Sequence, residues 1–167
     1  HDAPGEDVHI RAVIPVNLRP LEKAHELGNR FGLVFLTLPI GIAEPQARLM
    51  EVKRRMDRIK GSSEAGVIFG LLQVAGSGPE EVQEQLVDML GAKASAVLTN
   101  VPGPQEELHI AGSTLTNVMF WVPRAGTVSL GLSILSYNRQ VQFGVATDAA
   151  LVDDPDTIVQ AFEDEFE

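Results

Sequence analysis

Thr99 and Asn100 stand at the end of a run, Ser95–Val101, that reads as a β-strand, and close before Pro102-Gly103-Pro104. Two prolines and a glycine in three positions stop a strand. A hydroxyl and a carboxamide are left exposed at an abrupt strand end, where they can offer hydrogen bonds but no acid–base chemistry. The plain alternative is a rigid loop, since Asn is common before turns for its own backbone bonding. The stretch Ser133-Ile134-Leu135-Ser136-Tyr137 is a second candidate. On a strand Ser133 and Leu135 face one way, Ile134 and Ser136 the other. A serine inside a buried strand needs a partner, either a water or ligand, or simply neighbouring backbone. Arg54 and Arg58 lie one turn apart on a predicted helix and can meet an anionic membrane surface. They can equally form a wet helix face, with Glu51 three and four residues before Arg54 and Arg55.

No complete catalytic signature accompanies these residues. The sequence lacks G-x-x-x-x-G-K-[ST], a strand-borne G-x-G-x-x-G and G-x-S-x-G. Its histidines are His1, His9, His25 and His109, with no His-x-x-x-His pair and no metal-ligand spacing, so no metal site is expected. His109 alternates with apolar neighbours and reads as a packed or surface histidine. No carboxylate pair has a spacing that singles it out. The chain has no cysteine, which excludes a disulfide framework and a thiolate site and is compatible with a reducing, cytoplasmic setting.

The elements that must position these residues are mixed. His9–Arg19 and Arg30–Ile40 read as strands, the second apolar on both faces and so expected to be central and buried. Residues 44–62 read as a helix with Pro45 in its first turn, a stripe of Leu49, Val52, Met56 and Ile59, and Gly61 as a stop. Residues 62–76 read as a helix, and residues 78–94 as another with a proline and two glutamates in its first turn. Strands follow: Ser95–Val101, one or two within Glu107–Pro123, then Thr127–Asn138 and Gln140–Thr147 as an antiparallel hairpin around a turn at Asn138–Gln140. A closing helix has Asp154 as N-cap and Ile158, Phe162 and Phe166 on one face. This order predicts a mixed α/β (α+β) layer architecture, not a strictly alternating one.

The 167 residues are 44% hydrophobic, enough for one domain with a core. Residues 1–8 read as a linker or cut loop and 9–167 as the domain. No apolar run is long enough to span a bilayer, and the polar N-terminus does not read as a signal peptide. The net charge of −10 argues against nucleic-acid binding. Six of 13 basic residues fall between Arg48 and Lys60, and none follows Arg139. The acidic end reads as a solvated surface.

Five segments taken in order, Asn29–Pro45, Ala92–Pro104, Leu108–Pro123, Gly131–Asp148 and Phe162–Phe166, resemble the C-terminal half of the bacterial wax ester synthase/acyl-CoA:diacylglycerol acyltransferases. The resemblance runs from about Arg11 onward. It implies a half of the chloramphenicol acetyltransferase-like fold, a mixed sheet with helices packed on it, facing a related N-terminal half across a tunnel. In that family a His-His-x-x-x-Asp-Gly motif of the N-terminal half carries the general base. It deprotonates the acceptor hydroxyl, which attacks the acyl-CoA thioester. This sequence has no adjacent histidines, and Thr147–Asp154, in the matching place, carries none. The resemblance therefore implies half of a long-chain acyl-CoA-dependent O-acyltransferase, inactive alone, that makes wax esters or triacylglycerol from fatty alcohol or diacylglycerol. It needs no cofactor beyond acyl-CoA as substrate. Its place would be peripheral, on the inner membrane or lipid inclusions. Thr99, Asn100 and Ser133 would support or position the oxyanion. Ser136 and Tyr137 would shape the acceptor channel, and Arg54 and Arg58 would meet CoA phosphates or lipid. Phe31–Gly41 and Ala65–Gly76 would line an acyl channel, or be core. The alternative is a noncatalytic acyl-binding or scaffold module of the same fold on lipid inclusions.

Overall fold

The computed structural model describes residues 10–20, 22, 30–124 and 127–166. The linker at 1–8 and three of the four histidines, His1, His9 and His25, lie outside the described residues. The chain divides into two compact units, 1–95 and 96–167.

In the first unit β1 (Ile10–Asn17) and β2 (Phe31–Leu38) pair antiparallel, Ile10 opposite Leu38 and Asn17 opposite Phe31. Three helices follow: α1 (Pro45–Lys60), α2 (Glu64–Gly76) and α3 (Glu80–Gly91). Ala12, Val34 and Leu36 are buried. Helix α2 presses closely on the ribbon: a Cβ at Gly32 would lie 2.2 Å from the Ala65 carbonyl oxygen, so only glycine fits there.

Strand β2 was expected to be central, and it is an edge. Two of its outward groups are taken by side chains: the Phe35 N–H donates to Glu64 Oε1 at 3.0 Å, and Arg55 Nη1 donates to the Thr37 carbonyl at 2.6 Å. Edge strands are templates for unwanted pairing, and two helix side chains blunt this one. Its apolar character reflects the helices above it rather than a second neighbouring strand.

Helix α1 starts as expected, with Pro45 at its first position, while Glu44 caps it by accepting from the Gln46 and Ala47 N–H groups. Its packed face differs from the apolar stripe. Leu49 is 66% exposed, whereas Val52, Met56 and Ile59 are half-buried together with Arg48 and Arg55. The two arginines are drawn in because their guanidinium groups satisfy the carbonyls of Ile42 (2.9 Å) and Thr37. In α3 the two glutamates occupy the first turn and Pro79 stands one residue before it, as N-cap.

In the second unit β3 (Ala96–Pro102) runs parallel to β6 (Leu130–Tyr137), and β6 pairs antiparallel with β7 (Gln140–Thr147). The result is a mixed sheet, as the sequence predicts. The β6–β7 hairpin closes through Asn138 and Arg139, both with positive φ (47° and 63°), the two-residue turn whose twist suits a hairpin. The short strands β4 (His109–Ile110) and β5 (Ser113–Thr114) form a separate pair. Helix α4 (Asp156–Phe166) packs on β7 through Phe162, whose ring stacks on Phe143 at 3.9 Å. Asp154 caps it through the N–H and hydroxyl of Thr157, and those bonds hold its carboxyl below the usual carboxylate range.

Candidate functional site

Five of the seven candidate residues sit on the parallel neighbours β3 and β6. The register sorts them: Thr99 stands opposite Ser133, Asn100 opposite Ile134, and Pro102 opposite Ser136. Side chains alternate along a strand, and paired residues share a face. Thr99, Ser133 and Tyr137 therefore belong to one face of this sheet, and Asn100 and Ser136 to the other. Thr99 and Asn100, neighbours in sequence, do not point the same way.

The first face is sealed by the segment that follows β4 and β5. The Val122 N–H donates to Ser133 Oγ at 2.9 Å, and Ser133 is 1% exposed. Tyr137, equally buried, accepts from the Leu108 N–H at 2.9 Å and donates to the Leu115 carbonyl at 2.7 Å. Gly131 and Gly144, on the same face, leave room for Val122 with Arg124 and for Met119. Residues 115–124 thus lie across the sheet without a strand ladder, held by side chains. Thr99 Oγ1 is buried there and has no hydrogen-bond partner among the described residues. Leaving a buried hydroxyl unpaired costs about 1–3 kcal/mol.

The second face is more open. Asn100 is exposed and Ser136 half-buried. The turn beyond them is fixed by close backbone approach. The Gly103 N–H donates to the Ser136 carbonyl at 2.8 Å, and a Cβ at Gly103 would lie 2.4 Å from that oxygen. The Asn138 N–H in turn donates to the Pro104 carbonyl at 2.9 Å, tying the Pro-Gly-Pro turn to the end of β6. The strand stop after Asn100 is therefore a rigid junction, and its carboxamide is a hydrogen-bond donor on fixed backbone.

Histidine His109 is exposed on β4, with Nδ1 at 3.2 Å from Thr114 Oγ1 and Nε2 at 3.8 Å from Glu107 Oε1. It is a surface histidine. On α1, Arg54 is held by Glu51 at 2.6 Å, and Arg55 reaches the same carboxylate at 2.6 Å. The hydrogen bonds from Arg54 and then Arg55 lower the Glu51 carboxyl to about 2. Arg58, one turn on, is exposed.

The two apolar segments read as channel or core supply core residues, Val34 and Leu36 among them. They also meet around one cavity of about 530 Å³ in the first unit, bordered by Val34 of β2, Met56 and Ile59 of α1, and Ala65, Gly66 and Val67 of α2. The sequence gives no sign of Tyr137 as a double hydrogen-bond clamp or of Glu64 as an edge cap, because their partners lie 22 to 29 residues away. Among the described residues, no helix is long and apolar enough to cross a membrane.

Comparison with known proteins places these features in a family. The family model described as the WS/DGAT C-terminal domain matches residues 27–167. The chain is 27% identical over 159 residues to a probable diacylglycerol O-acyltransferase of Mycobacterium tuberculosis, covering 93% of this chain and 34% of that protein. It is 26% identical to a wax ester synthase/diacylglycerol acyltransferase of Arabidopsis thaliana, covering 98% of this chain and 35% of that protein. The fold is similar to the solved wax ester synthase/diacylglycerol acyltransferase of Marinobacter aquaeolei, with a TM-score of 0.58, 18% identity, and coverage of 93% of this chain and 35% of that one. The chain thus spans about a third of the length of the relatives it matches.

Proposed function

The chain belongs to the WS/DGAT C-terminal domain family, and from that premise we propose that it is the C-terminal half of a long-chain acyl-CoA-dependent O-acyltransferase. The acceptor is a fatty alcohol or diacylglycerol, and the product a wax ester or triacylglycerol. The observation that carries this reading is the family match over residues 27–167 of a chain that spans about a third of its relatives. The general base comes from an N-terminal half bearing His-His-x-x-x-Asp-Gly, so this chain is inactive alone. It uses acyl-CoA as substrate and no separate cofactor, and it works at the periphery of a membrane or lipid inclusion.

Within this chain, Asn100 donates to the oxyanion that forms as the acceptor oxygen attacks the thioester carbonyl. Its exposure at a rigid strand end supports that role: a fixed donor at a developing oxyanion needs little reorganisation and contributes on the order of 3–4 kcal/mol. Thr99 and Ser133 act as positioning residues from the opposite face. Ser136 shares the Asn100 face and borders the acceptor. Tyr137 shapes the channel indirectly, through the backbone at Leu108 and Leu115 that it holds. Arg58, and Arg54 to the extent that Glu51 releases it, meet CoA phosphates or anionic lipid. Sequencing the parent gene upstream of His1 tests the division of labour. A reading frame that supplies His-His-x-x-x-Asp-Gly is expected, and a start codon immediately before His1 contradicts it.

A further inference from the structure

We propose that the cavity between α1, α2 and the β1–β2 ribbon binds the chain of a free long-chain fatty carboxylate, with the carboxylate held at Lys60. The cavity lies wholly within the first unit, and its volume of about 530 Å³ falls in the range of about 300–1,000 Å³ usual for small-ligand sites. Its walls are mostly aliphatic, with Val16, Val34, Met56, Ile59 and Val67 among them, and its polar lining residues are Asn17, Lys60, Ser62 and Ser63. Such walls take a hydrocarbon chain and offer a neutral polar ligand little.

Charge selects the head group. Among the described residues the lining contains one charged side chain, Lys60, and it is positive, in a chain of net charge −10. Among the described residues, no Asp or Glu lines the cavity. Ser62 and Ser63 stand beside Lys60 in the lining. The Ser62 hydroxyl is already engaged, donating to the Ile59 carbonyl and accepting from the Glu64 N–H. Ser63, at the N-cap of α2, makes no side-chain capping bond, which leaves its hydroxyl available to a ligand oxygen. A lysine among the lining residues, at the exposed end of α1, suits a charge carried at the end of the chain. A fatty acid has its carboxylate there. In an acyl-CoA the thioester at that position is neutral, and the phosphates lie beyond the pantetheine arm.

The inference does not rest on the roles proposed for Asn100, Thr99 and Ser133, so its test reads binding and not turnover. Palmitate, palmitoyl-CoA and hexadecanol are titrated calorimetrically into the full 167-residue chain, below the concentration at which each aggregates. Saturable binding of palmitate is expected, with hexadecanol at least about tenfold weaker. Lys60→Glu should weaken palmitate about tenfold and Lys60→Arg should retain it, and both lie on an exposed helix end where folding is not at stake. Met56→Trp, which narrows the cavity, should weaken palmitate binding while circular dichroism reports the fold. Absence of saturable palmitate binding overturns the proposal, as does indifference to Lys60→Glu or equal binding of hexadecanol. Binding of palmitoyl-CoA that is tighter than that of palmitate and insensitive to Lys60→Glu overturns the assignment of a carboxylate.

Discussion

Thr99 and Ser133 stand opposite one another on parallel strands and share a face of the sheet, yet among the described residues only Ser133 has a hydrogen-bond partner, the Val122 N–H. Two hydroxyls in equivalent positions are thus energetically unlike. Ser133→Ala leaves a buried N–H unpaired and should cost about 1–3 kcal/mol of stability. Thr99→Val replaces a hydroxyl that has no partner among the described residues with a methyl of similar shape and should be neutral or stabilising. Urea denaturation of the two variants ranks them, and the reverse order would show that the buried face is misread.

Asn100 is exposed, so Asn100→Ala should leave the denaturation midpoint unchanged. In the enzyme assembled with its N-terminal half, the same change should lower kcat on the order of 10²-fold or more with little change in KM, the pattern of a contact made mainly in the transition state. A rise in KM at constant kcat would assign Asn100 to substrate binding instead.

The Pro-Gly-Pro turn predicts its own sensitivity. Gly103→Ala drives a Cβ into the Ser136 carbonyl, and backbone on backbone cannot yield cheaply. A loss of about 1–3 kcal/mol is expected, typical of overpacking. Equal stability of Gly103→Ala and wild type would mean that the junction between β3 and β6 is loose.

Much of this was legible in the sequence, and the failures have physical causes. Local signals gave the hairpin at Asn138, the proline start of α1 and the Asp154 cap, because each is decided within four residues. The position of helix α1 is legible in the sequence, but its packed face is not. Leu49 fits the 3–4 spacing, but Arg48 and Arg55 displace it by reaching backbone carbonyls that no periodicity count sees. Strand β2 was legible as a strand and not as an edge, since its cover is supplied by Glu64 and Arg55 from helices that follow it. The stretch Glu107–Pro123, which reads as one or two strands, contains only the two-residue strands β4 and β5. Beyond them the backbone is satisfied in part by Ser133 and Tyr137, and hydroxyls from distant residues leave no pattern. Candidate residues were legible by type, but their division between two faces followed only from the register of β3 on β6.

The Glu51 carboxyl is lowered to about 2 by Arg54 and Arg55. A carboxyl with a depressed folded pKa stabilises above its unfolded value and loses that contribution as pH falls toward the folded one. The stability gap between wild type and Glu51→Gln should therefore be full above about pH 5 and shrink as pH falls toward 2. A gap that widens on acidification would contradict the Glu51–Arg54–Arg55 arrangement.

The central claim is that this chain is half of an acyltransferase and lacks the base. General base catalysis typically supplies about 10²–10⁴-fold. The most direct measurement is transfer of palmitoyl from its CoA thioester to hexadecanol by this chain alone, and by this chain mixed with a separately produced N-terminal half. No transfer above background is predicted for the chain alone, with ester formation once the half bearing His-His-x-x-x-Asp-Gly is added. Robust turnover by the chain alone, or none with the added half in a complex shown to have formed, would contradict the account.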